Sequence, residues 1–448
     1  MIRFVVIFSM LFLSGCLRVN TDPCPDFKRV QEDVLERSGH TIYWEAPEGE
    51  RAFKACIEKV LGENLTADRA AYVALLNNRQ LQATYESLGI AKADLAQAGL
   101  LMNPIFALAY RFTTQSTSSA LINIGLLQNF LEALLIPLKK RSARFELEST
   151  RSMVTAQVLQ VIADTKMAFY DLLAKKQIWN LQSQILLSLE LSYETAKRLF
   201  EAGNLKKLDL VMYRVVYEEA KVALANVEIE ILEAKERLNV LMGLWGDQII
   251  WAAFDCLPDL KECEMSWEWV EQYAIANSLD LEIARREMGR TAAQFGVDTT
   301  RFIFPQLDLG PDAEREEGVW FVGPAIGIAI PFFDFGKANS AAAQAEISRQ
   351  WNQYTALAIR IRSQARVARF RLLNAYRKSQ YYQRVVIPLA EEVTANTLFQ
   401  HNAMQLGVFH LLSAKQIELE KKIQGVEFLR DYWVERTALE LILQGSAP

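Results

Sequence analysis

Few residues in this chain have chemistry to offer, and most of them do not form a reactive set. The first candidate is Cys16, which ends the run Leu13-Ser14-Gly15-Cys16. Before it lie one positive charge, Arg3, and the apolar stretch Phe4 to Leu13. Charge, apolar core and small-residue cleavage site together read as a secretory signal. The final four residues look like a lipobox, in which Cys16 becomes the acylated first residue of the mature chain. The competing reading is an ordinary signal peptide with a chance cysteine. Gly336-Lys337 suggests a phosphate loop, but Ala338 stands where Ser or Thr is needed, and Pro331 where the first Gly belongs. There is no His-Glu-x-x-His, Gly-x-Ser-x-Gly or Cys-x-x-Cys. The three histidines, His40, His401 and His410, and the scattered methionines form no ligand set in sequence. We therefore expect no enzyme activity, no catalytic residue, no metal site and no cofactor. Cys24, Cys56, Cys256 and Cys263 form an even set, which in an exported chain permits two disulfides. The favoured pairing is Cys24–Cys56 with Cys256–Cys263.

What must position any functional group is a duplicated frame. Shifted by about two hundred residues, Asn77 and Leu81 meet Asn277 and Leu281, and Gly89 and Ala93 meet Gly289 and Ala293. Ile136-Pro137 meets Ile330-Pro331, Gly203 and Leu208 meet Gly407 and Leu412, and Gly243 meets Gly445. So long a period excludes a solenoid and indicates a doubled half-molecule. Each half reads helix, strand, strand, very long helix, helix. The divisions are a signal peptide over 1–15, a lipidated N-terminal segment over 16–64, a first repeat over 65–243, an inter-repeat linker over 244–265, a second repeat over 266–445 and a tail over 446–448. The segments 16–64 and 244–265 read as irregular. The first helix is expected from about Thr66 to Leu101, with its counterpart from near Ser266 to just before Pro305.

Phe106, Leu108, Tyr110 and Phe112 alternate with smaller or polar residues, the period of a half-buried strand. A second strand is expected over Ala120 to Phe130. In the second half, Phe302 to Gly310 reads as a strand, Asp312 to Gly318 as a charged loop, and Val322 to Ile330 as a strand. Strands of about ten residues suit a tilted membrane crossing. Four cannot close a barrel, and an open edge in lipid leaves backbone groups unpaired, so copies of the chain must share the strands. No later run is long and apolar enough for a spanning helix. The net charge of −5, with both signs interspersed, argues against nucleic acid. Pro137 to Ala202 contains no internal Pro or Gly, and as a helix would extend roughly 100 Å. Its apolar seam runs Val154, Val158, Val161, Thr165, Ala168, Leu172, Trp179, Leu186, Leu189, Tyr193, Ala196 and Phe200, which is coiled-coil spacing. Gly203-Asn204 ends it, and a return helix covers Leu205 to Met242. The second half repeats this from Lys337, with a break at Pro388 and a turn near Gly407.

The ordered set resembles the TolC family of outer-membrane efflux proteins. It comprises Leu75 to Ala83, Gly89 to Asp94, Gln97 to Leu100, Asn103-Pro104, Ala202 to Leu205 with Leu208-Asp209-Leu210, and Leu241-Met-Gly243. In the second half come Gly323-Pro324, Ile330 to Gly336, Asn402 to Val408 and Arg430-Asp-Tyr-Trp433. The resemblance covers essentially the whole mature chain. It implies a mainly α fold with a membrane β-barrel portion. A homotrimer would pool strands into a 12-stranded β-barrel continuous with a long periplasmic α-helical barrel, anchored by lipid at Cys16. It also implies partners: a periplasmic membrane-fusion adaptor, an inner-membrane pump of RND or ABC type, and outer-membrane lipid. The hairpin tips would form the periplasmic gate and the adaptor-docking surface: Gly203, Asn204, Leu208, Asp209, Gly407, His410, Leu412 and Ser413. Three Asp209 carboxylates around an axis would make an anionic constriction; alternatively Asp209 only favours its helix start. Aligning Gly203 with Gly407 puts Ser413 at the repeat position of Asp209. His410 is either a three-fold titrating ring or a packing or adaptor-facing residue. Cargo is open between metal ions, drugs and a secreted polypeptide. The contrasting architecture is a lipid-anchored periplasmic coiled-coil scaffold that does not span the membrane.

Overall fold

The computed structural model describes residues 19–44, 50–111, 121–261, 269–303, 307–316, 318–329 and 336–446. Cys16, Cys263 and Ile330-Pro331 lie outside these. The chain divides into two compact units. The first comprises Met1–Arg29, Tyr85–Met153 and Leu281–Ala356; the second comprises Val30–Thr84, Val154–Asp280 and Leu357–Pro448.

The helices and strands, in chain order, are α1 (Cys24–Ser38), α2 (Glu50–Leu61), α3 (Ala67–Asn77), α4 (Arg79–Gln97), β1 (Ile105–Arg111), β2 (Leu121–Asn129), α5 (Leu131–Glu201) and α6 (Lys207–Met242). A short 3-10 turn, Gly246–Ile249, follows. The second half has α7 (Val270–Asn277), α8 (Leu279–Ile303), β3 (Leu307–Glu316), β4 (Val319–Ile328), α9 (Lys337–Tyr381), α10 (Ile387–Asn402) and α11 (Val408–Gln444). A π-turn over Tyr382–Val386 separates α9 from α10, just before Pro388, where the missing N–H interrupts the helical ladder. That is the expected break. The segment before Thr66 differs from expectation: it holds two helices, α1 and α2, rather than irregular chain.

The first helix of each half is also split. Asn78 has extended backbone, and its Oδ1 accepts from the Leu81 N–H at 3.0 Å, capping α4. Ser278 stands at the same point of the second half, with the same extended backbone. The long helix α5 starts at Leu131, earlier than expected, and carries Pro137 within it. Asn129 Oδ1 accepts from the Glu132 N–H at 3.1 Å at its start.

In the first unit, β1-β2-β3-β4 form one antiparallel sheet in that order. A small core of Leu131, Leu135 and Val297, with Leu138 and Leu307 against it, packs α5 on α8 beside the sheet. Close approach of these helices needs Gly289, where a Cβ would stand 2.9 Å from the Phe145 ring.

In the second unit, Val154, Val158, Val161, Thr165, Ala168 and Leu172 are buried, as the heptad seam requires. Further along, burial moves to Ile185, Ser188, Ser192 and Ala196, while Phe200 is exposed. From Ile185 to Ser192 burial lies one position before the predicted seam, which it rejoins at Ala196. Leu159, Ala163, Leu279 and Leu441 make the core between α5, α8 and α11.

The duplication is visible in how each half closes. Gly243 ends α6 in the left-handed region, φ 67°, against the carbonyl of Asn77. Asn77 Nδ2 donates to the Met242 carbonyl at 3.1 Å and the Gly243 carbonyl at 2.7 Å. Gly445 ends α11 at φ 111° against the carbonyl of Asn277, whose Nδ2 donates to Leu443 O at 3.0 Å. Arg37 of α1 donates to both Asn277 O and Gln444 O at 2.7 Å, tying the N-terminal helix to the second closure.

Candidate functional site

Two places carry the features that a conduit would use, and each lies within one unit.

The first is the sheet. Its register sorts the side chains of all four strands onto two faces. One face is apolar apart from Gln128 and Arg315: Phe106, Leu108 and Tyr110 of β1, then Ile122, Ile124 and Leu126 of β2. It continues through Leu307, Leu309, Pro311 and Ala313 of β3, then Trp320, Val322, Pro324, Ile326 and Ile328 of β4. On the edge strands these are surface residues, with Phe106 64% exposed, Leu108 61% and Val322 69%, while those of β2 and most of β3 are half-buried. The opposite face is polar or small in its middle, with Asn123, Gly125 and Asn129 beside Asp308, Gly310, Asp312 and Glu314, then Gly323, Ala325 and Gly327, and carries Ile105, Leu121, Leu127, Val319 and Phe321 towards the strand ends. Asn123 Nδ2 lies 3.4 Å from Asp312 Oδ2. Among the described residues β1 and β4 each pair on one side only, leaving two open edges.

The charged stretch expected to be a loop, Asp312 to Gly318, is strand as far as Glu316. Its carboxylates at 308, 312, 314 and 316 share one face, a period-two signal present in the sequence. Pro311 and the density of charge obscured it. Pro311 lacks an N–H, and a Cβ at Gly310 would collide with the Leu126 carbonyl. Ladder pairing between β2 and β3 is interrupted there, with no direct partners for Leu126 or Leu127.

The second place is the pair of hairpin tips in the second unit. In the first tip α5 ends through a left-handed Gly203, φ 78°. The Asn204 N–H donates to the Leu199 carbonyl at 2.8 Å, and the Gly203 N–H to Phe200 O at 2.9 Å. In the second tip the same bonds run from Gln405 to Gln400 at 2.9 Å and from Met404 to His401 at 2.9 Å. The left-handed residue there is Met404, φ 57° and 95% exposed. The return helices are capped at Lys206 and at Gly407.

The tips therefore correspond by Gly203 with Met404 and Lys206 with Gly407, which corrects the match of Gly203 to Gly407. It follows that His410, not Ser413, occupies the position of Asp209, in the first turn of the return helix. Gly-for-Gly matching misled because the second tip places a methionine where the first has glycine. Asp209 is half-buried, and Leu208 is 69% exposed. His410 and Ser413 are exposed, Leu412 is half-buried, and Asn204 is exposed. Burial, with the Asp209 carboxylate, pushes the Tyr213 phenol up. Tyr213 stacks on Phe409, ring centroids 4.4 Å apart, so the two tips lie side by side. Sequence reasoning missed this pair; two aromatics just inside equivalent turns were the available signal. The second hairpin is braced by the buried Glu418, which takes hydrogen bonds from Lys415 and Lys422 at 2.7 Å each. Burial alone would raise its carboxyl, but these lysines hold it below the usual range.

The expected Cys24–Cys56 disulfide is not formed. Cys24, Cys56 and Cys256 are free thiols. Cys56 Sγ lies 3.8 Å from the Tyr72 hydroxyl, and Cys24 starts a helix whose N–H is taken by Asp22 Oδ1 at 3.0 Å. Among the described residues there is no group of acidic, His or Cys side chains that could hold a metal ion, and no helix long and apolar enough to cross a membrane.

This arrangement of long helical hairpins and a four-stranded sheet in a doubled chain is the fold of the TolC-type outer-membrane efflux channels. Similar solved structures include CusC, at 13% identity and a TM-score of 0.69, covering 87% of this chain and 94% of that one. A membrane protein from Pseudomonas aeruginosa matches at 16% identity and a TM-score of 0.71, covering 87% and 92%. The outer membrane protein VceC from Vibrio cholerae matches at 15% identity and a TM-score of 0.67, covering 85% and 97%. No protein-family model and no curated protein matches the sequence.

Proposed function

We propose that this chain is the outer-membrane channel subunit of a tripartite efflux system. The observation that carries the proposal is the open-edged sheet with one largely apolar face and a second face that is polar or small in its middle. A soluble protein would cover such a face, whereas a membrane barrel exposes it to lipid and turns the polar face to water. Open edges are not tolerated in hydrocarbon, so the edges must pair with other copies. Three copies supply twelve strands. The helices of the three copies would form the periplasmic tube, with Cys16 as the lipid anchor. The tips would meet a membrane-fusion adaptor, with Asp209 and His410 around the entrance. The duct holds no energy source, and an inner-membrane pump of RND or ABC type would drive export and set the cargo class, metal ions or drugs. A type I protein-secretion duct would use the same geometry.

The test is purification from membranes, with mass in detergent and conductance in planar bilayers as readouts, on the full chain and on Cys16→Ser. A trimer that conducts, and that needs detergent even without its lipid, supports the channel. A Cys16→Ser protein that is soluble without detergent and does not conduct overturns it in favour of the periplasmic scaffold. Deleting the gene and scoring survival against metals, bile salts, dyes and antibiotics then assigns the cargo class.

A further inference from the structure

The apolar sheet face is apolar to one end only. There, four residues stand in a single row across the strands: Tyr110 opposite Ile122, Ile122 opposite Arg315, and Arg315 opposite Trp320. Arg315 is the only charged residue on this face among the described residues, and it is exposed. Its guanidinium carbon lies 5.9 Å from the centre of the Trp320 ring, a cation–π distance. Its neighbours Glu314 and Glu316 point to the opposite face by strand alternation. Among the described residues Arg315 makes no ion pair. The row sits at the β3–β4 turn, away from the helices that continue from β2.

Position decides what such a charge can meet. From the Leu307–Ile328 pair to the Arg315–Trp320 pair the apolar band runs about 27 Å along the strand at about 3.4 Å per residue. Tilted by about 40°, that length rises about 21 Å, most of the ~25 Å apolar band of a membrane barrel. The row therefore falls at the far membrane–water interface, where a lipid-facing Arg costs little and aromatic residues are favoured. A guanidinium is a planar, always charged donor suited to phosphate oxygens. At this depth the anion within reach is the headgroup phosphate of a lipid.

We propose that Arg315, with Trp320 beside it and Tyr110 two strands away in the same row, is a binding site for the phosphate of an anionic outer-leaflet lipid, one per chain. The proposal rests on the channel reading above. The test is native mass spectrometry of the full-length protein in detergent with a bis-phosphorylated lipid A as probe. The variants are Arg315→Gln and Arg315→Lys, with inorganic phosphate as a soluble competitor. Wild type should retain the lipid, and Arg315→Gln should weaken retention at least about tenfold, the size of one charge-assisted hydrogen bond. Arg315→Lys should retain most of it, and inorganic phosphate should not displace it, since the acyl chains contribute most of the affinity. Equal retention by wild type and Arg315→Gln overturns the site while leaving the channel intact. Displacement by inorganic phosphate assigns the site to the free anion instead and overturns the lipid assignment. A wild-type protein that stays soluble without detergent overturns the channel reading itself.

Discussion

Substituting Gly243 by Ala separates two costs that usually come together. Gly243 and Gly203 share nearly the same left-handed backbone, φ 67° and 78°. An L side chain in that region costs about 1–2 kcal/mol at either place. Their surroundings differ. A Cβ at Gly203 meets nothing within 4 Å, whereas one at Gly243 would stand 2.5 Å from the Asn77 carbonyl oxygen and 3.2 Å from Asn78 Cα. Those atoms are backbone and cannot rotate away, so the closure of the first half must open. Opening it removes the two hydrogen bonds from Asn77 Nδ2, each worth about 1 kcal/mol net. Gly203→Ala should therefore cost about 1–2 kcal/mol and Gly243→Ala about 3–4 kcal/mol, summing strain and lost bonds. Urea unfolding in detergent, followed by helical circular dichroism, reads the difference. Gly445→Ala, whose Cβ would strike the Asn277 carbonyl, should behave as Gly243→Ala. Equal destabilisation at Gly203 and Gly243 would refute the close-approach argument and leave only backbone strain.

Further outcomes follow from the same geometry. Val322→Asp puts a carboxylate on the apolar sheet face and should weaken membrane insertion, at a cost below the ~2–4 kcal/mol of an Arg or Lys at the midplane. Gly323→Asp, one residue on, lies opposite Asp312 on the polar face and should insert, as judged by heat-modifiable mobility and protease protection. Asp209→Ala should raise single-channel conductance if three carboxylates narrow the entrance; unchanged conductance and ion selectivity would sink the ring. Burial and the Lys166 ammonium hold His40 below its ordinary 6.5, against a smaller opposing pull from Asp68. The folded chain then binds fewer protons at His40 than the unfolded chain does. This contribution to stability is complete above about pH 6.5 and is lost as pH falls through the lower folded value. Asp68 is itself held below 3.8: burial pushes it up, but the Lys166 hydrogen bond at 2.6 Å and the charges of Lys166, His40 and Lys261 together outweigh burial, and its contribution fades only below that pH. Unfolding midpoints measured between pH 5 and 8 should slope downward on acidification in wild type and flatten in His40→Gln.

Much of this molecule is legible in local pattern. The alternation of Phe106, Leu108 and Tyr110, the break before Pro388 and the seam from Val154 to Leu172 all depend on neighbours within one or two turns, and the duplication on the repetition of such local patterns. The split of the first helix was not legible. Asn78 reads as an ordinary helical residue until its side chain is seen capping Leu81 and donating to Leu241 on a distant segment. The expected disulfide failed for a related reason: an even count of cysteines says nothing about which thiols the fold brings within bonding distance.

The tips and the acidic strand mark the boundary most clearly. Residue types alone determined that the chain doubles back at two hairpins, since Gly203-Asn204 and the stretch from Asn402 to Gly407 interrupt long helical runs. Only the folded backbone decided that Met404 takes the left-handed position and that His410 faces the role of Asp209. That register is set by the bonds from Gln405 and Met404 to the preceding turn, not by where glycine falls. In the same way, Asp308 to Glu316 has poor strand propensity. It becomes a strand because β2 and β4 offer it ladders on both sides, from partners nearly two hundred residues away in one case and just across a turn in the other.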